Sequence, residues 1–207
     1  MNNFSSKVIL CLGFIALLPL SNFFAQSHYI DSIQNERLKF NQELLHTDSV
    51  LNIEERSKIE SLQYFPIDST WVLTAKFKKR LGKEFEMPTT TSRKPKYQRI
   101  GFLIFKRGDE KFKLTVYKNI GLTAPEYKNY AFIPFKDANA PEITYGGGRY
   151  LDAEISLDMK TVVIDFNTAY NPYCVYSYRY SCPITPKENH IKVKVNAGIK
   201  NPVMLED

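Results

Sequence analysis

The chain predicts an α+β fold that is mainly β, with N-terminal helices followed by an antiparallel sheet, either curled or closed into a β-barrel. Three observations lead there. Helical spacing of apolar residues is confined to the stretch before residue 65. From Trp71 onward apolar and polar residues alternate, giving each run one wet face, as antiparallel strands have and doubly covered parallel strands do not. No helical stretch separates those runs, which argues against repeated βαβ units.

The N-terminus reads as a leader. Lys7 is the only charge ahead of a thirteen-residue apolar run, Val8 to Leu20. That run is shorter than the roughly 20 residues that span a bilayer and fits a secretory signal in length and flanks. Cleavage is expected after Ala25. Residues 1–25 are then a signal peptide and 26–207 a single domain, helical over 26–65 and β-rich over 66–207. The alternative is an uncleaved anchor. Cys11 lacks the small preceding residue that lipid attachment needs. The mature protein is therefore expected to be exported, periplasmic or secreted, with no membrane span after signal cleavage.

Tyr29 to Leu45 reads as an amphipathic helix with Ile30, Ile33, Leu38 and Leu45 near one stripe. Asn52 with Glu55 three positions on forms a capping-box pattern, which opens a second helix running to about Leu62, before Pro66. Alternation then marks strands at 71–77, 111–117, 151–157 and 191–197, and "IGFLIF" (100–105) is apolar on both faces. "RGDE" (107–110) and "LDMKT" (157–161) read as hairpin connections between successive strands. "MPTTTSRKPK" (87–96) is expected to be a mobile loop, and closure of the sheet would remove exposed edges.

The chain carries 28 Lys+Arg against 22 Asp+Glu, a net +6 that loses one charge with Lys7. The cations are spread along strands in alternation with apolar residues, as on a solvated sheet face. With export, this points away from nucleic acid as a partner.

Candidate chemistry gathers in two segments. Cys174 and Cys182 are the only cysteines of the mature chain; in an exported protein they suggest a disulfide worth about 2–3 kcal/mol. With His190 they give C-x7-C-x7-H, the wrong spacing for structural zinc, so no metal and no cofactor is expected. Free thiols are the other alternative. In "TYGGGRY" (144–150) successive glycines can turn N–H groups inward and Arg149 adds a fork of donors, so an anion-binding nest and a plain turn both fit. Asp165 and Asn167 share a face if their strand runs that far, pointing either into a barrel mouth or to solvent. Asn171-Pro172 is a turn signal. No G-x-S-x-G, H-E-x-x-H or close pair of histidines is present.

The runs "TYGGGRYLD" (144–152) and "DFNTAYNPYCVYSYRYSCPITPKENHIKVKVNAG" (165–198) resemble the bacterial and archaeal family known as domain of unknown function 1684. "SVLNIEERSKIESLQYFPIDSTWVLTAKF" (49–77) and "YAFIPFKDA" (130–138) are similar to it too, so the likeness covers nearly the whole mature chain. It departs at Ala138, Asn139 and Pro141, near where members tend to carry Thr and Gly. The resemblance supplies no activity. It implies a single domain and a shared site built from the Gly-Arg turn and the Asn-Pro-Tyr-Cys loop. The matching residues are Asp137, Tyr145, Gly147, Gly148, Arg149, Asp165, Asn167, Asn171, Pro172, Tyr173, Cys174, Cys182, Pro183, Glu188 and Asn189.

Three functions fit. One is a binding module that holds a small anionic or carbohydrate-like molecule through Tyr145, Gly147, Gly148, Arg149, Asp165, Asn167, Asn171, Tyr173, Glu188 and Asn189. Another is a hydrolase with Asp165 or Glu188 as general base and Arg149 steadying a developing anion. The last is a scaffold stapled by a disulfide. The first is favoured, because aromatic faces with a few oriented polar groups are what small-molecule pockets require.

Overall fold

The computed structural model describes residues 20–205, with side chains from Gln26. The predicted leader lies outside the described residues except for Leu20–Ala25, whose backbone opens the first helix; the expected cut after Ala25 falls inside that helix. The protein is mainly β, with an N-terminal helix and an antiparallel sheet curled into a half-barrel.

Helix α1 spans Leu20–His46. Its inward stripe is Ile33, Arg37, Phe40 and Leu44, a 4-3-4 spacing that keeps one face toward the body. Leu38, expected on that stripe, is 64% exposed. Helix α2, Ile53–Arg56, opens on the expected capping box: Asn52 Oδ1 accepts Glu55 N–H at 2.8 Å and Glu55 Oε2 accepts Asn52 N–H at 3.0 Å. It lasts one turn and does not reach Leu62. The backbone beyond it is drawn into strand β1 (Ile59–Ser61), which pairs with β9 (Val203–Met204) near the other end of the chain.

The main sheet holds β2 (Val72–Lys79), β3 (Glu84–Glu86), β4 (Lys96–Arg107), β5 (Glu110–Asn119), β6 (Tyr130–Phe135), β7 (Arg149–Glu154) and β8 (Thr161–Asp165), in the order β7-β6-β5-β4-β2-β8 with β3 on β4. The 107–110 turn is a tight hairpin, with Gly108 at φ +59°. The 157–161 segment is not one: β7 and β8 lie at opposite edges, and the chain crosses the gap between them. Curling brings those edges near each other, and Tyr150 pairs with Tyr170 just past β8. A register shift between Arg99 and Gly101 marks a bulge in β4. A Cβ on Gly101 would lie 2.5 Å from the Phe77 ring, so glycine permits this close approach.

The principal core fills one face of the curl. Leu73, Ala75 and Phe77 of β2 meet Leu103, Phe105, Leu114, Ile133, Leu151 and Ile164 there. Phe166, fully buried in the 3-10 turn after β8, is its hub, with ring contacts to Trp71, Phe105, Phe112 and Phe135. Met87, Tyr97, Tyr117, Phe132 and Tyr150 form a separate cluster, joining alternate residues of β4, β5, β6 and β7. Met87 anchors the loop over 87–96, which is tied down by the Thr89–Pro183 bridge and by Thr90 N–H to Cys182 O at 2.9 Å.

Ile191–Ala197 alternates like a strand, and Val193, Val195 and Ala197 do enter the core, yet it forms no ladder. Its backbone groups go mostly to side chains and isolated bridges, for the reason that follows.

Candidate functional site

Arg149 opens β7 with its guanidinium fully buried. Nη1 donates to Ala197 O and to Ile199 O (3.0 Å); Nη2 donates to Val195 O at 3.0 Å and to Asp137 Oδ1 at 3.3 Å. Asp137 Oδ2 in turn accepts Val195 N–H at 2.9 Å, and Oδ1 accepts the Thr144 hydroxyl at 3.0 Å. Burial pulls the Arg149 pKa down, while Asp137 pulls it up. This ion pair supplies the bonds a neighbouring strand would otherwise give residues 195–199. The guanidinium is closed off from solvent, and both Nη groups are already bonded within the protein.

Other expected site residues are likewise bonded within the protein, to backbone and to side chains. Asn189 is fully buried: its Oδ1 accepts Thr115 N–H at 2.7 Å, and its Nδ2 donates to Thr115 O (2.9 Å) and Pro134 O (2.7 Å). It fills the ladder where Pro134 of β6 has no N–H to offer β5. Glu188 accepts the Tyr117 hydroxyl at 2.8 Å; burial first, then this carboxylate, pushes Tyr117 well above its usual range. Asp165 caps the turn carrying Phe166 and accepts the Tyr29 hydroxyl at 2.8 Å. Asn167 donates to Tyr29 Oη, Asp68 O and Asp165 and accepts Asp68 N–H, which joins α1, β8 and the approach to β2. Asn171 donates to Lys200 O at 2.9 Å and to the Tyr176 hydroxyl at 3.2 Å.

Gly148 adopts φ +94°, and a Cβ there would meet Thr185 Oγ1 at 2.5 Å and Phe135 O at 2.6 Å. Gly147 O accepts the Thr185 hydroxyl at 2.8 Å. The glycine bend is thus packed against the segment following Cys182, and Tyr145 lies beside Cys174. The two segments are neighbours, in direct contact around these groups. The carboxylate and guanidinium facing one substrate that the hydrolase alternative needs are not assembled by Asp165 or Glu188 with Arg149.

Cys174 and Cys182 are free thiols, so the expected cross-link is not closed. Cys174 N–H donates to Cys182 Sγ at 3.3 Å, and Cys182 N–H donates to Thr90 Oγ1 at 3.1 Å. Among the described residues no group of three or more His, Cys, Asp or Glu is placed to hold a metal ion.

A cleft of about 360 Å³ opens instead between α1 and the segment after β8. Ile33, Phe40, Ala169 and Ile199 give it apolar wall, and Tyr64, Tyr170 and Tyr173 give it aromatic wall. Of the expected residues, Asn167 and Tyr173 line it. Its charged lining residues are Glu36, Asp152, whose carboxylate accepts the Tyr130 and Tyr170 hydroxyls, and Arg37. The Arg37 guanidinium carbon lies 4.6 Å from the centre of the Tyr64 ring, and Nη1 donates to Phe65 O at 3.0 Å. Nε and Nη2 are buried and have no partner among the described residues. Burial pulls the Arg37 pKa below the ordinary arginine value, with Asp165 among the groups pulling back. Sequence reasoning passed Arg37 over. The signal was an arginine occupying the i+4 position of an apolar helix stripe, where leucine is the ordinary choice.

No curated protein matches the chain. An uncharacterized protein of Haloarcula marismortui, solved by solution NMR, shares 26% identity, with a TM-score of 0.62 over 87% of this chain and 96% of that one. The profile of the family described as Protein of unknown function (DUF1684) matches residues 57–200, from the end of the capped turn through the Arg149-bound carbonyls. With well over half its length matched, the chain belongs to the DUF1684 family.

Proposed function

We propose that this is an exported binding domain whose cleft between α1 and the segment after β8 holds a small carboxylate-bearing molecule with an apolar body. The observation that carries the reading is the open edge of Arg37. Nε–H and one N–H of Nη2 point along the same side of the guanidinium plane, the edge on which a carboxylate seats with two parallel hydrogen bonds. Both atoms lack an acceptor among the described residues and are buried. Each buried hydrogen bond left unmade costs about 1–3 kcal/mol, which a carboxylate at that edge would recover. Ile33, Phe40 and Tyr173 offer an apolar body the surface that small-molecule pockets use. Export rests on Lys7 and the apolar run ending at Leu20. The carbohydrate-like alternative has less support, because the orphaned donors belong to a cation.

Thermal unfolding of the purified protein with phenylacetate and with phenylacetamide tests the reading. The carboxylate is expected to raise the melting temperature, the amide to do so much less, and Arg37→Gln to abolish the difference. Equal shifts from acid and amide, or no shift from a panel of aromatic and aliphatic carboxylates, would refute it.

A further inference from the structure

We propose that Cys174 and Cys182 form a reversible dithiol–disulfide couple that reacts with low-molecular-weight thiols and disulfides, with Cys174 as the accessible sulfur and Cys182 as its buried partner. The two positions differ in the way such a couple requires. Cys174 is partly exposed and lines a hollow of about 210 Å³ with Asn52, Lys58, Tyr178 and Met204. Cys182 is buried at 8% exposure.

The reduced form is supported by contacts that a structural cross-link would not need. Cys182 Sγ accepts Cys174 N–H, and Arg93, whose Nη2 reaches Ser181 O at 2.5 Å, adds positive charge nearby. The neighbouring Cys174 side chain, its N–H and the Arg93 charge hold Cys182 down to about 7, and Cys182 together with burial pushes Cys174 well up. A sulfur stabilised as thiolate is a good leaving group, and a disulfide containing one is reduced more readily.

Non-covalent bonds already close the intervening loop. Arg179 reaches both oxygens of Glu55 at 2.9 and 2.6 Å, Tyr180 Oη donates to Val50 O at 2.6 Å, and Thr90 N–H fastens Cys182 O. A bridge therefore adds little constraint, and its loss releases little structure. That separates a redox couple from a staple.

The chemistry balances with a small disulfide as oxidant. Cys174 passes its proton to the adjacent Cys182 thiolate as its sulfur attacks one sulfur of that disulfide, expelling one small thiolate. Cys182 then releases that proton to solvent, its thiolate attacks Cys174 Sγ of the mixed disulfide, the protein S–S bond forms, and the second small thiolate leaves. Two protein thiols and one small disulfide become one protein disulfide and two small thiols. In reduction, an incoming thiolate attacks the partly exposed Cys174 at its sulfur and Cys182 departs.

Equilibration of the purified protein in buffers of graded reduced and oxidised glutathione, followed by acid quenching, alkylation and mass spectrometry, tests this. Both thiols are expected to disappear together, reversibly, with both forms populated within the series. Cys182→Ser should retain glutathione on Cys174, and Cys174→Ser should take up none. Arg93→Gln should shift the midpoint several-fold toward the oxidised form. A bridge that survives the most reducing buffer, two thiols that survive the most oxidising one, or a Cys182→Ser variant that stays unmodified would each overturn the proposal. Circular dichroism of every variant confirms that the fold is retained, and none of these readouts depends on what the Arg37 cleft binds.

Discussion

Replacing Asn189 by leucine separates a ligand-binding role for this residue from an architectural one. The swap nearly preserves volume but strips out the amide that bonds Thr115 N–H, Thr115 O and Pro134 O. All three backbone groups would be left in a site where Asn189 itself has no exposure. At about 1–3 kcal/mol for each buried polar group left unpaired, with some relaxation allowed, the expected loss is about 3–6 kcal/mol. That is a large share of the 5–15 kcal/mol typical of a folded domain. Urea unfolding followed by tryptophan fluorescence reads it directly, through Trp71 in the core. Asn189→Asp should lose at least as much, because a carboxylate oxygen would then face two carbonyls. A loss below about 1 kcal/mol for Asn189→Leu, accompanied by altered binding of a small molecule, would refute the architectural assignment.

Other consequences follow from neighbouring features. Arg149→Met would leave Asp137 buried without its counter-charge and three carbonyls without their donor and is expected to cost about 3–5 kcal/mol in the same assay; lysine should not restore it, since one ammonium cannot span Asp137 and residues 195–199. Gly148→Ala should destabilise by more than about 1 kcal/mol through its positive φ and the fixed Phe135 carbonyl, and trimming Thr185 to alanine should recover only part of that loss. Glu55 is held at about 2, chiefly by Arg179 and then by Ser177. Because that lies below the ordinary carboxylate value of about 4.3, its contribution is complete above that value and fades as pH falls toward 2. The stability difference between wild type and Glu55→Gln, measured by urea titration at several pH values, should therefore shrink across that acid window; a constant difference would contradict the linkage.

The strands at 71–77 and 111–117 were legible because their side chains face a core on one side, and alternation records that directly. The same logic misreads 191–197. Its apolar residues do face the core, but alternation reports side-chain burial and carries no information about who accepts the backbone bonds, here the Arg149–Asp137 pair. Strand β6 was hidden by an apolar run without alternation that contains Pro134, a pattern that fits a strand only once Asn189 is seen to give Thr115 O the donor that proline lacks. The glycines and asparagines of the two motifs stood out in sequence because their backbone and amide requirements are strict, and such strictness marks architecture as readily as binding. Arg37 escaped notice because its neighbours along α1 are ordinary, and its open edge exists only where the helix meets Tyr64 and Phe65.

The pairing of Ile59–Ser61 with Val203–Met204 has a kinetic consequence. The two strands of that ribbon are separated in sequence by the whole main sheet, so the capped turn and its extension gain their partner only when that long loop closes. Closing so long a loop comes late and slowly. Until then Ile59–Ser61 keeps an unpaired edge, and the segments flanking the main sheet are not yet fastened to each other.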